Sequence, residues 1–177
     1  NFFSPYEGLP GNVDSEPGEY LTDRLTDEAI EFIRENKDQP FFIQLWHYAP
    51  HSPIMAPEKE VDKYRKKREK LEDPNINPTY AAMIDKIDQG VGRILTTLEE
   101  LELEGKTVIF ITSDNGGKKA FGSVPISKTL PLRGQKGQVY EGGVRVPMAV
   151  NWPGHTIPGG QSGEMVSVLD FYPTILE

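Results

Sequence analysis

Residues 107–117 read Thr-Val-Ile-Phe-Ile-Thr-Ser-Asp-Asn-Gly-Gly. A mainly apolar run ends at Thr112, and polar residues and glycines follow it directly. The first six residues are β-branched or aromatic, which predicts a strand buried on both faces, as in a parallel sheet covered by helices. The residues that follow favour a turn, because Asp, Asn and Gly tolerate the bent backbone that a turn requires. We therefore expect Asp114 and Asn115 to lie in a loop at the carboxyl end of a strand.

The longest predicted helix precedes this strand. Asn77 is a favourable N-cap, and Pro78 suits the first helical position. Gly90 and Gly92 interrupt the helix, and close approach to a neighbouring backbone would compensate for their poor helix propensity. Gly105 is expected to end the helix. The apolar residues recur at steps of three or four, which predicts one apolar face: Tyr80, Ile84, Ile87, Val91, Ile94, Leu98 and Leu101.

The rest of the chain alternates between predicted strands and helices. Residues 41–46 and 144–150 predict two further buried strands, and residues 118–143 predict a long irregular segment. Residues 1–20 predict an irregular lead-in segment. Further helices are expected in three places: after an N-cap at Thr22, at about residues 58–71, and after Asp170. This alternation predicts an α/β fold with a mainly parallel sheet flanked by helices, and the length of 177 residues suits one domain or a large piece of one.

The composition excludes several classes of function. The chain has 177 residues and a net charge of −8, and its densest basic run, residues 63–70, is typical of a solvated helix face. A nucleic-acid partner is therefore not expected. The lack of cysteine excludes disulfides, thiolate metal sites and cysteine nucleophiles within this chain. No apolar run approaches the ~20 residues that a membrane span needs.

Two predicted loops carry residues suited to chemistry. In open α/β sheets, ligands bind beyond the carboxyl ends of the strands, and parallel pairing would place the loops of His51 and of Asp114-Asn115 at one edge. The oxygens of Asp114 and Asn115 suit a hard cation such as calcium or magnesium, whereas an Asx turn explains the same residues. His51 could donate to an oxyanion or protonate a leaving group, or it could be a structural loop residue.

Lys136 is the third candidate. It lies in Leu-Arg-Gly-Gln-Lys-Gly, residues 132–137, where glycines on both sides allow close approach of a ligand. Its ammonium could neutralise a sulfate or phosphate as a point charge, although an isolated lysine is more often a solvated surface residue. Of the other histidines, His47 is expected to pack at a strand end and His155 to be exposed in a turn.

Four blocks of sequence, in this order, resemble the sulfatases of the alkaline phosphatase superfamily. The helix from Tyr80 to Leu101 is similar to the helix that precedes the metal loop in that family. The resemblance runs from about residue 20 to the end of the chain and implies an alkaline phosphatase-like fold. The blocks are residues 41–53 (Phe-Phe through Ala-Pro-His-Ser-Pro), 110–116 (Phe-Ile-Thr-Ser-Asp-Asn-Gly), 132–147 (Leu-Arg-Gly-Gln-Lys-Gly through Tyr-Glu-Gly-Gly-Val-Arg-Val-Pro) and 170–174 (Asp-Phe-Tyr-Pro-Thr).

The resemblance implies a role for each candidate. Asp114 and Asn115 would bind a divalent cation, usually calcium. His51 and Lys136 would contact the sulfate, and His51 could also assist the leaving group. Sulfatases hydrolyse sulfate esters by attack of a hydrated formylglycine on sulfur, with metal and lysine neutralising the oxygens. The implied protein is an arylsulfatase-like sulfuric ester hydrolase that acts on a sulfated small molecule or carbohydrate, and the family tendency is extracytoplasmic.

The sequence departs from the family at the nucleophile. The formylglycine precursor is the Cys or Ser of Cys/Ser-x-Pro-x-Arg, and the nearest match, residues 123–127 (Ser-Val-Pro-Ile-Ser), lacks the Arg and follows the metal loop instead of preceding it. The paired N-terminal aspartates of the family's metal shell are also missing. We therefore expect residues 1–177 to be part of a sulfatase catalytic domain, inactive alone, with the formylglycine in an N-terminal part outside this chain.

Two other functions stay open at this point. A phosphoester hydrolase or phosphotransferase of the same superfamily would use a Thr or Ser nucleophile. A non-catalytic sulfatase-like binding module would keep the fold and need no nucleophile.

Overall fold

Three helices form the first half of the fold. The computed structural model describes residues 1–6, 15–72 and 77–176, so residues 7–14 of the lead-in segment lie outside this description. Helix α1 covers Leu21–Glu35, α2 covers Glu58–Leu71 and α3 covers Pro78–Glu100. Helix α3 packs against both α1 and α2. None of the helices within these ranges is both long and apolar enough to cross a membrane.

Helix α1 begins earlier than predicted, and Thr22 is not its N-cap. Tyr20 occupies the N-cap position without a side-chain hydrogen bond. Thr22 lies inside the first turn and is 2% exposed, and its carbonyl oxygen accepts a hydrogen bond of 2.8 Å from the Thr26 hydroxyl. Burial of Leu21 and Thr22 against the core therefore outweighs the bond that a threonine cap would supply.

The predicted start of α3 is confirmed, but its predicted end is wrong. The side-chain oxygen of Asn77 accepts a hydrogen bond of 3.0 Å from the backbone amide of Tyr80, and Pro78 is the first helical residue. The helix ends at Glu100, and Glu102 then adopts a left-handed backbone with φ 57°. The chain thus reverses before it reaches Gly105.

The buried face of α3 lies to one side of the predicted apolar stripe. Ile84 is 44% exposed, whereas Met83 beside it is fully buried. Gly90 allows α1 to approach closely, because a Cβ atom there would lie 2.6 Å from the Thr26 hydroxyl oxygen; Gly92 has open space around it. Close helix packing through small residues therefore decides which face is buried. The buried residues of α3 are Ala82, Met83, Gly90, Thr97 and Leu98.

The lead-in segment takes part in the core. Residues 1–6 are irregular, as predicted, apart from an isolated bridge between Phe3 and Tyr20. The Tyr20 hydroxyl donates a hydrogen bond of 2.9 Å to the carbonyl oxygen of Met55, and burial raises the pKa of Tyr20 to about 12. These contacts hold the segment that carries His51 against α1 and α3. The buried cluster comprises Phe2, Tyr6, Tyr20, Leu21, Ala49 and Met83.

The strands of the second half pair antiparallel. Strands β1 (Ile109–Thr112) and β4 (Met148–Asn151) form one pair, and β2 (Ala120–Phe121) and β3 (Val124–Pro125) form a short hairpin. Helix α4 covers Glu141–Val144. The predicted mainly parallel sheet is not shown within the described ranges. Parallel neighbours need a crossover, usually through a helix, whereas the chain between β1 and β4 turns back through loops and the four-residue α4.

The segment predicted as the first buried strand is not a strand. Residues 41–46 have no hydrogen-bonded neighbour among the described strands, and Phe42 and Trp46 are 62% and 78% exposed. The apolar run was misleading because a strand needs a partner as well as β propensity. The strand predicted at residues 144–150 is confirmed only as β4, since Val144 belongs to α4. The last predicted helix is confirmed as α5 (Phe171–Leu176).

Candidate active site

The loop after β1 presents two oxygen-bearing side chains. The Ser113 hydroxyl donates a hydrogen bond of 3.0 Å to the carbonyl oxygen of Asn115, and the Asn115 side-chain nitrogen donates one of 3.0 Å to the carbonyl oxygen of Gly116. Because that nitrogen is engaged, the side-chain oxygen of Asn115 is the atom left to bind a cation. Asp114 is exposed, and its carboxylate makes no hydrogen bond or ion pair with any residue that the structure describes.

A second loop, residues 132–143, closes on the first. The Gly116 amide donates a hydrogen bond of 2.9 Å to the carbonyl oxygen of Gly143, and the Lys136 amide donates one of 2.9 Å to the carbonyl oxygen of Gly117. These backbone bonds bring Lys136 beside the loop of Asp114 and Asn115.

Three glycines allow close packing of the backbone, Gly116 between the two loops and Gly142 and Gly143 within the second. A Cβ atom on Gly116 would lie 2.1 Å from the carbonyl oxygen of Gly142, and one on Gly143 would lie 2.0 Å from the carbonyl oxygen of Gln138. A Cβ atom on Gly142 would lie 2.5 Å from the carbonyl oxygen of Gly134. Backbone cannot retreat as a flexible side chain can, so only glycine fits at these positions. The segment around Glu141–Val144 therefore anchors the loop of Lys136.

Lys136 is half-buried, and its ammonium is available to an anion. It makes no ion pair within the described ranges. Gly134 and Gly137 on either side have φ of 86° and 84°, a left-handed backbone that favours glycine. The loop thus holds the lysine between two sharp bends of the chain.

Two glutamines support this loop, and sequence reasoning missed both. The Gln135 side-chain oxygen accepts a hydrogen bond of 3.0 Å from the Lys119 amide, and the Gln138 side-chain oxygen accepts one of 3.1 Å from the Gln135 amide. Polar residues in an irregular loop carry no periodic signal, so nothing in the sequence singled them out. They hold the bend that precedes Lys136.

Arg133 and Tyr140 fasten the two ends of the loop. The guanidinium lies 3.9 Å from the centroid of the Tyr140 ring and donates a hydrogen bond of 3.0 Å to its hydroxyl. The carbonyl oxygen of Arg133 accepts a further bond of 2.7 Å from the Gly142 amide. Arg133 is thus engaged within the loop, and Lys136 is the cation of this loop that is left for a ligand.

His51 is exposed and oriented by its own neighbours. Its Nδ1 lies 3.0 Å from the carbonyl oxygen of Ser52, which favours the tautomer that donates from Nδ1 and leaves Nε2 free to exchange a proton. No hydrogen bond or ion pair among the described residues joins His51 to Asp114, Asn115 or Lys136. The structure therefore brings the loops of Asp114, Asn115 and Lys136 together, and His51 lies on a separate loop. Two shallow grooves between α1 and α3 contain none of the four.

The burial of the other two histidines agrees with the sequence, although the strand expected before His47 is not formed. His47 is partly buried, and its Nδ1 is buried without a hydrogen-bond partner among the described residues. Burial lowers the pKa of His47, although the charge of Asp23 acts in the opposite direction. His155 is exposed, with its ring 4.6 Å from that of Trp152. No hydrogen bond or ion pair among the described residues joins either imidazole to Asp114, Asn115 or Lys136.

The oxygen donors suit one side of a hard-cation site. Within residues 1–6, 15–72 and 77–176, no three His, Cys, Asp or Glu side chains are grouped so that they could hold a metal ion. Asp114 and Asn115 supply two oxygens, whereas calcium takes about six to eight. The pair therefore fits as part of a calcium shell that other groups must complete.

Comparison with known proteins finds relatives over almost the whole chain. The family model described as Sulfatase matches residues 2–177. The uncharacterized sulfatase YdeN of Escherichia coli (strain K12) is 38% identical over 164 residues, which cover 89% of this chain and 27% of that protein. The steryl-sulfatase of Rattus norvegicus is 32% identical over 174 residues, which cover 92% of this chain and 27% of that protein.

A solved structure also matches most of this chain at the level of the fold. The crystal structure of Ps i-CgsB in complex with k-i-k-neocarrahexaose matches with a TM-score of 0.79 and 35% identity, over 93% of this chain and 35% of that chain. This chain thus spans between 27% and 35% of the length of these three relatives.

Proposed function

Because its match to the family model over residues 2–177 shows that this chain belongs to the sulfatase family, we propose that the protein containing it hydrolyses sulfate esters. In this proposal the chain supplies one side of the active site. The observation that carries it is the hydrogen bond of 2.9 Å between the Lys136 amide and the Gly117 carbonyl oxygen. That bond fixes an unpaired ammonium beside a loop with two free oxygen ligands.

Each candidate has a distinct role in the proposed reaction. The Lys136 ammonium neutralises a sulfate oxygen as negative charge develops on the leaving group. Asp114 and Asn115 hold a calcium ion, which would polarise the sulfate oxygens when bound. With both ring nitrogens protonated, His51 gives the bridging oxygen a proton from Nε2 and keeps the hydrogen bond from Nδ1 to the Ser52 carbonyl oxygen.

The nucleophile belongs to another part of the protein. This chain has no cysteine, and residues 123–127, which include strand β3, lack the arginine of the maturation motif. We therefore place the nucleophile, a formylglycine derived from Cys or Ser, outside this chain, together with the remaining metal ligands. We also propose an extracytoplasmic location, which rests on family tendency.

A sulfated carbohydrate is the substrate class that we favour. Ps i-CgsB is 35% identical to this chain and was solved with a bound neocarrahexaose, and its match has a TM-score of 0.79. The steryl-sulfatase of Rattus norvegicus, at 32% identity, is named for a different substrate. The exposed position of Asp114 and His51 suits an open site that admits one end or one unit of a carbohydrate chain.

The test is hydrolysis by the full-length protein produced with formylglycine maturation. We expect it to release 4-nitrophenol from 4-nitrophenyl sulfate in a calcium-dependent reaction, and to act poorly on 4-nitrophenyl phosphate. Faster hydrolysis of the phosphate would favour a phosphoester hydrolase of the same superfamily. No turnover of either ester, with folded protein and confirmed formylglycine, would favour a binding module.

A further inference from the structure

Helix α2 presents a continuous stripe of lysines to solvent. With 3.6 residues per turn, Lys59, Lys63, Lys66, Lys67 and Lys70 fall within roughly 100° of arc on this helix. All five are exposed. The stripe lies opposite Val61, the buried residue of α2, although the Lys63 ammonium reaches Asp85 of α3. We refer to these five residues as the lysine stripe.

The acidic residues of α2 lie outside the arc of the stripe, although Glu60 borders it and its charge acts on Lys63. Glu58 and Asp62 lie on another flank of α2, where both pair with Arg65. Lys63 forms an ion pair of 2.8 Å with Asp85 of α3, and the Lys67 ammonium lies 5.7 Å from the centroid of the Tyr64 ring. The remaining three lysines, 59, 66 and 70, make no ion pair with any residue that the structure describes.

The net charge of α2 is opposite in sign to the net charge of the whole chain. Seven basic and four acidic residues give α2 a net charge of +3, whereas the whole chain carries −8. A general electrostatic attraction of polyanions to this chain is therefore not expected. An anionic partner would be attracted to this helix in particular.

The lysine stripe is long enough to contact several units of a linear polymer. Lys59 and Lys70 are eleven residues apart, which places them about 16 Å apart along the helix axis. The helix starts soon after His51, so Lys59 lies at most about 28 Å from that residue even with a fully extended connection. A chain of several sugar units could therefore reach both the stripe and His51.

We propose that the lysine stripe binds the sulfate groups of a polysaccharide chain whose terminal or internal sulfate ester occupies the active site. This inference rests on the proposed function, and it makes the substrate a polymer instead of a small ester. A lipid surface fits less well, because the arc contains no apolar side chain to insert into a membrane. It also has no aromatic side chain on which nucleobases would stack.

The experiment compares two matched charge reversals in the full-length protein. Lys66→Glu with Lys70→Glu alters the stripe, and Lys37→Glu with Lys106→Glu alters two exposed lysines in the turns after α1 and α3. Binding to dextran sulfate and to unsulfated dextran is measured by calorimetry at several salt concentrations. We expect the stripe variant to bind dextran sulfate at least about tenfold more weakly, with a shallower salt dependence, and the control variant to bind like the wild type. The milder Lys66→Gln with Lys70→Gln should show an intermediate loss.

Kinetics supply the second readout. The stripe variant should have a raised KM for a sulfated polysaccharide and an unchanged kcat/KM for 4-nitrophenyl sulfate. Equal losses in the stripe and control variants, or equally tight binding of duplex DNA at the same charge concentration, would overturn the inference. Binding needs no turnover, so a protein that binds dextran sulfate through the stripe and hydrolyses no sulfate ester would contradict the proposed function alone. A sulfatase that binds dextran sulfate equally well without the stripe lysines would contradict only this inference.

Discussion

The backbone amide of Lys136 lies 2.9 Å from the carbonyl oxygen of Gly117, to which it donates a hydrogen bond. Asn115 is two residues before that carbonyl, so the loop of the lysine cannot shift without moving the loop of Asp114 and Asn115. The geometry of the proposed site thus depends on contacts between backbones. These contacts fix the positions from which the side chains of Asp114, Asn115 and Lys136 extend. Such preorganisation is what electrostatic catalysis requires.

Replacing Lys136 with Ala should lower kcat for 4-nitrophenyl sulfate at least about 100-fold, because the ammonium would no longer neutralise the developing charge. The measurement is steady-state kinetics of the mature full-length protein. Lys128, an exposed lysine of the neighbouring irregular segment, provides the control, and Lys128→Ala should stay within about twofold of wild type. Equal rates for Lys136→Ala and Lys128→Ala would remove Lys136 from the site.

Replacing Gly116 with Ala should separate the two loops. The new Cβ atom would lie 2.1 Å from the Gly142 carbonyl oxygen, so one backbone must move. We expect a loss of at least about 2 kcal/mol in the free energy of unfolding and a large loss of sulfatase activity. Gly163→Ala, at a position with open space, should change neither. A fully active, fully stable Gly116→Ala protein would mean that the loops are not packed as described.

The two glycines of α3 should respond to alanine in opposite ways. Gly90→Ala places a Cβ atom 2.6 Å from the hydroxyl oxygen of Thr26, which is fully buried, and should destabilise the protein by about 1–3 kcal/mol. Gly92→Ala meets open space and should stabilise it by about 1 kcal/mol through helix propensity alone. Thermal unfolding of the two variants checks both signs. A stabilising Gly90→Ala would contradict the close packing of α1 on α3.

The stability of the protein should fall as His47 becomes protonated. Burial lowers the pKa of His47 in the folded state below its unfolded value of 6.5. As the pH falls through 6.5, the unfolded state gains a proton that the folded state resists, so the free energy of unfolding decreases until the folded pKa is also passed. Chemical denaturation from about pH 7 to about pH 5 should show this decrease.

Substitution assigns the effect to one imidazole. His47→Gln removes the titrating ring and should reduce the pH dependence in that window. His155→Gln, at an exposed ring beside Trp152, serves as the control and should leave it unchanged. A wild-type profile in the His47→Gln protein would show that another group is responsible.

Local signals in the sequence predicted the helices better than the sheet. The Asn77 cap and Pro78 act within one turn of α3, and the structure confirms both. The distant contact of Asn77 does not compete, because its side-chain nitrogen donates to the Pro125 carbonyl oxygen while its side-chain oxygen forms the cap. Thr22 carries the same kind of signal, but the burial of Leu21 and Thr22 overrides it. Strand pairing depends on a partner far along the chain. The apolar run at residues 41–46 therefore indicates β propensity but does not identify a partner strand.

The candidate site was predictable in part. Asp114, Asn115 and Lys136 came from short motifs, and the structure places their loops together. The reason for that proximity was not predictable, because it depends on backbone contacts between Gly116 and Gly143 across 27 positions of sequence. The expectation that His51 shares an edge with Asp114 relied on parallel strands that the described ranges do not contain. The position of His51 relative to the other three therefore stays a prediction.

Calorimetric titration of inorganic sulfate into the full-length protein, with and without calcium, tests the shared site most directly. If Asp114, Asn115 and Lys136 surround one pocket, calcium should tighten sulfate binding, and Lys136→Ala should weaken sulfate binding while leaving calcium affinity unchanged. Asp114→Ala should weaken calcium binding and abolish the calcium effect on sulfate. Sulfate binding that is indifferent to calcium and to both substitutions would contradict the account.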